Sequence, residues 1–118
     1  MSQHNRDVGR WGEQVAAEHL QAQGDELVDR NVRTPYGEID LIVRRGEIVI
    51  FVEVKTRTSA RFGYPEASIT PRKQEHMLAA AEHYAQENAL EHWQIDAISV
   101  EGKPDGKSPR ITHFEDVL

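Results

Sequence analysis

Residues 37–57 read GEIDLIVRRGEIVIFVEVKTR, and the rest of the chain is organised around them. Two runs of β-branched and aliphatic residues flank Arg45-Gly46, where a glycine supplies the positive φ of a tight hairpin turn. With Arg45 and Gly46 as the turn, Ile39, Leu41 and Val43 share one face with Ile48, Ile50, Val52 and Val54. That face is aliphatic throughout and is expected in the core. The opposite face carries Glu38, Asp40, Ile42 and Arg44 beside Glu47, Val49, Phe51, Glu53 and Lys55. A slip of one residue would drive the carboxylates among the aliphatics, so the pairing is strongly specified.

In this register Glu38 faces Glu53, Asp40 lies one step along, and Lys55 follows Glu53 on the same side. Like charges opposed across strands destabilise a sheet, and sequences break local rules mostly at functional sites. A hard divalent cation such as Mg²⁺ would remove the repulsion, because it takes oxygen ligands. The competing reading is an exposed face of solvated ion pairs worth little. Ile42, Val49 and Phe51 on the same side weigh against it, since carboxylates beside covered apolar surface form a cleft pattern.

A chain of 118 residues, 38% hydrophobic, suits one domain with one core. It has no cysteine, hence no disulfide framework and no thiolate metal site. The amino terminus is polar and no apolar run approaches spanning length, so an intracellular, cytoplasmic protein with no membrane partner is expected. The net charge of −6 argues against a protein that simply coats nucleic acid. Its distribution says more. Residues 30–73 hold nine Lys/Arg against five acids, a net of +4 around the carboxylates. A phosphate-bearing ligand would meet a cation in the middle and arginines around it.

The flanking chain alternates helix and strand. Residues 1–7 are expected to fray. A first helix runs from about Val8 to Gln23, capped by Asp7 or Asn5, with Gly24 as its C′ residue. Ala16, Ala17 and Leu20 make its inward stripe, and Glu13 stands at the end of that stripe. From spacing alone Glu13 is either a helix-terminal acid favoured by the macrodipole or a group reaching the hairpin's acids, and the first is preferred. A strand follows over about 26–33, then a Pro35-Tyr36-Gly37 turn. Residues 59–68 read as a loop. Thr70-Pro71 opens a second helix to about Asn88, with Met77, Leu78, Ala81, Tyr84 and Ala85 inward. Trp93–Val100 is a strand, and 110–114 a short edge strand. The six histidines lack the spacing of a helical zinc pair and are expected mostly at the surface.

The order α-β-β-β-α-β, with GEID on the second strand and EVK on the third, resembles the restriction-endonuclease-like superfamily, whose motif is PD-(D/E)xK. Asp40, Glu53 and Lys55 stand at its positions. The chain resembles more closely the YraN-like family of bacterial proteins. The matching pieces are GRWGE (9–13), Arg30-Asn31, GEIDLI (37–42), FVEVKTR (51–57), the Gly63 loop, Lys73 and the Asp96 strand. Ile39 replaces the motif's proline, and Gln94-Ile95 stands where Arg-Phe is expected. The resemblance implies an α/β fold, a mixed central sheet with helices packed on it in one domain. It also implies Mg²⁺- or Mn²⁺-dependent cleavage of DNA phosphodiester bonds, and a first-helix acid such as Glu13 completing the metal site. Branched or single-stranded DNA is the expected partner, and a homodimer is left open.

On this reading Asp40 and Glu53 hold the metal, with Glu13 and the Val54 carbonyl as further ligands. Lys55 orients the attacking water or stabilises the pentacoordinate centre. Glu38 and Glu13 are further catalytic candidates, and Gln74 could support the cluster from the second helix. Arg33, Arg57, Arg61 and Lys73 are candidates for phosphate contact, which gives affinity without sequence reading. Two other functions stay open: a noncatalytic nucleic-acid-binding module on the same fold, and a domain that docks a protein partner.

Overall fold

The computed structural model describes residues 3–58 and 70–118, with side chains from residue 6. The expected loop of residues 59–68, with Arg61, Phe62 and Gly63, lies outside the described residues. The elements in order are α1 (Gln3–Ala22), β1 (Glu26–Thr34), β2 (Gly37–Arg45), β3 (Ile48–Arg57), α2 (Pro71–Glu87), β4 (Trp93–Glu101) and β5 (Arg110–Phe114). The five strands form one sheet in the order β1-β2-β3-β4-β5. Only β3 and β4 run parallel; the other neighbours are antiparallel. The connection between the parallel pair contains α2, as a crossover requires. This is the expected mixed α/β fold, consistent with a restriction-endonuclease-like core.

The sheet is buried on both faces. On one, Leu41, Val43, Ile50, Val52, Ile98 and Val100 meet Ala16, Ala17 and Leu20 of α1. On the other, Ile39, Ile42, Val49, Phe51 and Ile95 meet Ala80 and Ala81 of α2. Alanines at both helix contacts let the helices lie close to the strands. The apolar residues on the hairpin's acidic face are therefore covered, as expected, and α2 is the cover. Leu78 is not part of it; it is 40% exposed, on the outer side of α2.

The hairpin differs from its sequence reading in one respect. Arg45 pairs with Ile48 and Leu41 with Val52. The turn is therefore Gly46-Glu47, and every cross-strand partner shifts by two residues. Gly46 alone of the two turn residues takes positive φ, at 62°, which places the glycine first, as in a type II′ hairpin. Ile48, expected in the core, flanks the turn and is 38% exposed. Ile39 leaves the face of Leu41 and Val43 and joins the α2 side, so the strand's alternation breaks at Asp40.

The helix ends follow their chemistry. After α1, Gly24 has φ 98°, Gly24 N–H donates to the Gln21 carbonyl, and Asp25 N–H to that of Leu20. This is a Schellman stop. At its start α1 reaches back to Gln3, so Asp7 and Asn5 lie inside the helix rather than at its N-cap, and residues 3–7 are helical rather than frayed. The Thr70 side chain accepts from Lys73 N–H and caps α2, with Pro71 at the first helical position.

Candidate functional site

The pairing of β2 with β3 runs no further than Leu41–Val52, although both strands continue past it. Where they part, the Asp40 carboxylate crosses the gap. Its Oδ2 accepts from the Val54 backbone N–H at 2.8 Å. The side chain thus takes a donor that a continued ladder would have given to a carbonyl, and it is held in place by backbone. What the structure shows of Val54 is this amide rather than the carbonyl expected as a ligand.

Glu53, the next residue of β3 past the last pair, stands close enough to Asp40 for each carboxyl to shift the other's titration. Burial, then the Glu53 charge, push the Asp40 carboxyl up to about 8, with Glu13 adding to the push and the Val54 N–H opposing it. Glu53 is raised as well, chiefly by burial. The carboxylate opposed to Glu53 is therefore Asp40 and not Glu38, as the two-residue shift requires. Glu38 instead pairs across to Arg33 on β1.

Glu13 joins them from α1. Oxygens of Glu13, Glu38 and Asp40 all lie within 4.8 Å of one another. The reason is Gly12. A Cβ there would sit 1.9 Å from Thr56 Oγ1 and 2.9 Å from Thr56 Cβ, so only glycine lets α1 come this close to β3. The preferred reading of Glu13 as a mere helix-terminal acid is thereby corrected. Asn31 then bridges two of the acids: its Nδ2 donates to Glu13 Oε1 at 2.9 Å and Glu38 Oε1 at 3.0 Å. Sequence reasoning matched Arg30-Asn31 to a family pattern but assigned it no role. Its signal was an asparagine inside a strand, where that residue is depleted; here it takes φ 51°.

The cations stand beside Glu53. Lys55 lies next to Lys73 at the start of α2, and the Lys73 ammonium and burial lower its pKa, against the pull of Glu53. Arg57 adds to the same push. Lys55, Lys73 and Arg57 are thus brought together beside the acids, whereas Arg33 is exposed on β1. Ser99, the β4 partner of Lys55, was not anticipated. Its buried Oγ has no hydrogen-bond partner among the described residues.

The donor set fits a hard divalent cation. Oxygens of three carboxylates converge, and burial and mutual repulsion keep the Asp40 proton on at a pH where an ordinary aspartate has lost it. A cation at that point offsets both effects, and oxygen donors are what Mg²⁺ and Mn²⁺ select.

A second polar cluster occupies the β4–β5 side of the sheet. Asp96, fully buried, accepts from Gln94 Nε2 at 2.9 Å and Asp116 N–H at 2.9 Å, and meets His113 Nε2 at 2.7 Å. Nearby Arg45 grips Asp25 with two hydrogen bonds and Glu115 with one. His113, expected at the surface, is half-buried here and fastens β5 to β4. Gln94, noted as a departure from the superfamily pattern, serves Asp96.

Residues 12–100 match the family described as Uncharacterised protein family UPF0102. The chain is similar to a UPF0102 protein of Dehalococcoides mccartyi, 41% identical over 121 residues that cover 100% of this chain and 98% of that protein. It is likewise similar to those of Syntrophotalea carbinolica (40% identical; 97% and 93% covered) and Syntrophomonas wolfei (42%; 93% and 96%). Among the described residues no helix is long and apolar enough to cross a membrane.

Proposed function

The chain belongs to the UPF0102 family, the YraN-like family of its sequence motifs, and from the pocket within its family-matched region we propose that it is a metal-dependent nuclease. The reaction is hydrolysis of DNA phosphodiester bonds, on branched or otherwise processed intermediates. The observation that carries this reading is the parting of β2 and β3 at Asp40, with Glu53, Glu13 and Glu38 converging on the gap and Lys55 beside it. Asp40, Glu53 and Glu13 would hold the metal. When bound, Mg²⁺ or Mn²⁺ supplies Lewis-acid polarisation of the phosphoryl group and neutralises its developing charge.

The chain's own groups do the rest. Val54 N–H fixes one Asp40 oxygen and leaves the other to the pocket. Asn31 holds Glu13 and Glu38 in register with it. Lys55, crowded by Lys73 and Arg57, is a cation placed to orient the attacking water and meet the charge of the pentacoordinate centre. Lys73 and Arg57 add phosphate affinity without reading sequence.

The test is incubation of purified protein with branched, single-stranded and duplex DNA in Mg²⁺ or Mn²⁺. Cleavage is expected, falling by about 100-fold or more in Asp40→Asn and Lys55→Ala while both variants stay folded. DNA binding with no cutting of any substrate would instead support the noncatalytic binding module. Loss of both DNA and cation binding would leave the protein-docking reading.

A further inference from the structure

Beside the acids lies an open cleft whose side at Tyr36 the hydrolytic reading leaves unused. Its volume is about 210 Å³. Glu38 and Glu53 line it from the sheet, Lys73, His76 and Met77 from α2, and Tyr36 from the β1–β2 turn. One wall therefore suits a phosphate, through Lys73 and whatever cation the acids hold. At the β1–β2 turn its rim is aromatic.

Tyr36 is 52% exposed, more than any other large hydrophobic side chain among the described residues. A single exposed aromatic is ordinary on a protein surface. Three features set this one apart. First, the turn that carries it is locked: Thr34 Oγ1 donates to the Gly37 carbonyl at 2.7 Å and accepts from Tyr36 N–H at 3.1 Å. Second, the ring stands edge-on to His83 of α2, centroids 6.0 Å apart at 63°, so it is braced against the helix. Third, it shares its cleft with Glu53 and Lys73, groups of the proposed hydrolytic site.

A braced aromatic ring next to a cation is the arrangement that holds unpaired nucleotides, because every base has a stackable face and every nucleotide a phosphate. Bases inside a duplex are already stacked on their neighbours and cannot offer that face. We propose that Tyr36 stacks an unpaired nucleobase in this cleft, so that the strand delivered to the acid pocket is single-stranded DNA or the unpaired arm of a branched molecule. The proposal rests on the nucleic-acid reading of the pocket and names its substrate class.

The experiment compares binding of the whole protein, by fluorescence anisotropy in Ca²⁺, to a labelled oligothymidylate, an abasic strand of the same length and a duplex. Tyr36→Ala is expected to weaken thymidylate binding by about 5- to 100-fold, the stacking of one base. Tyr36→Phe retains the ring and the affinity, and the abasic strand and the duplex bind both variants as they bind the unaltered protein. Equal thymidylate affinity in Tyr36→Ala overturns the proposal, as does an equal loss on the abasic strand. The nuclease reading is scored separately in Mn²⁺. Cleavage with no Tyr36 effect on binding would sink the stacking and leave the nuclease, and Tyr36-dependent binding without cleavage would do the reverse.

Discussion

Asp96 and Asp40 are both aspartates withdrawn from solvent on strands of one sheet, and their surroundings differ in kind. Asp96 faces donors: a side-chain amide, a backbone N–H and an imidazole take its two oxygens. Among the described residues Asp40 has one backbone N–H, and otherwise faces the carboxylates of Glu53, Glu13 and Glu38. A buried acid surrounded by donors ties elements together. A buried acid surrounded by other acids stores repulsion that a ligand can relieve. The two clusters show that burial of charge does not itself mark a site; the sign of the neighbouring groups does.

The same substitution at the two positions tests that contrast most directly. Asp96→Asn puts a donor where three donors already converge, and should cost about 3 kcal/mol in urea denaturation. If it costs as little as a surface change, the Asp96 network is not the fastening described here.

Gly12→Ala is expected to cost about 2 kcal/mol, because Thr56 is short, β-branched and cannot swing away from the added methyl. It should also weaken Mn²⁺ binding, by lifting Glu13 from the pocket, with partial recovery of both in Gly12→Ala/Thr56→Ala. Unchanged stability and cation affinity would show that the close approach of α1 does not place Glu13.

An effect of opposite sign is expected at Asp40. Its carboxyl is held near 8 in the fold against an ordinary 3.8. The charged form is thus disfavoured by folding. The stability linked to this group is complete below about pH 4 and is lost as pH rises through about 8. In the absence of divalent cations Asp40→Asn should therefore be more stable than the unaltered protein at pH 8, by at least about 1 kcal/mol, and should match it at low pH. Mn²⁺ should raise the melting temperature of the unaltered protein and not that of the variant. A destabilised Asp40→Asn at pH 8 would mean that Asp40, like Asp96, is a fastener.

Most of the architecture was legible in the residues. The β-branched runs either side of Gly46, the Thr70-Pro71 start of α2 and the Gly24 stop of α1 each carry their own local chemistry, so they could be read without a fold. Asn31 and Asp96 could not be assigned a role, since neither the Glu13–Asn31–Glu38 bridge nor the Gln94–Asp96–His113 network follows a helical or strand period. Each depends on elements far apart in the chain meeting in space.

What the chain determined unaided was the face taken by the paired part of the hairpin, Leu41, Val43, Ile50 and Val52 on one side and Ile42, Val49 and Phe51 on the other, because the pleat repeats every two residues and writes itself into the alternation. What the tertiary structure alone decided was who faces whom. A pairing displaced by two residues leaves that alternation unchanged, so only the backbone of Gly46 at the turn, and the bare Cα of Gly12 under α1, could bring Asp40 opposite Glu53 and Glu13 down upon them both.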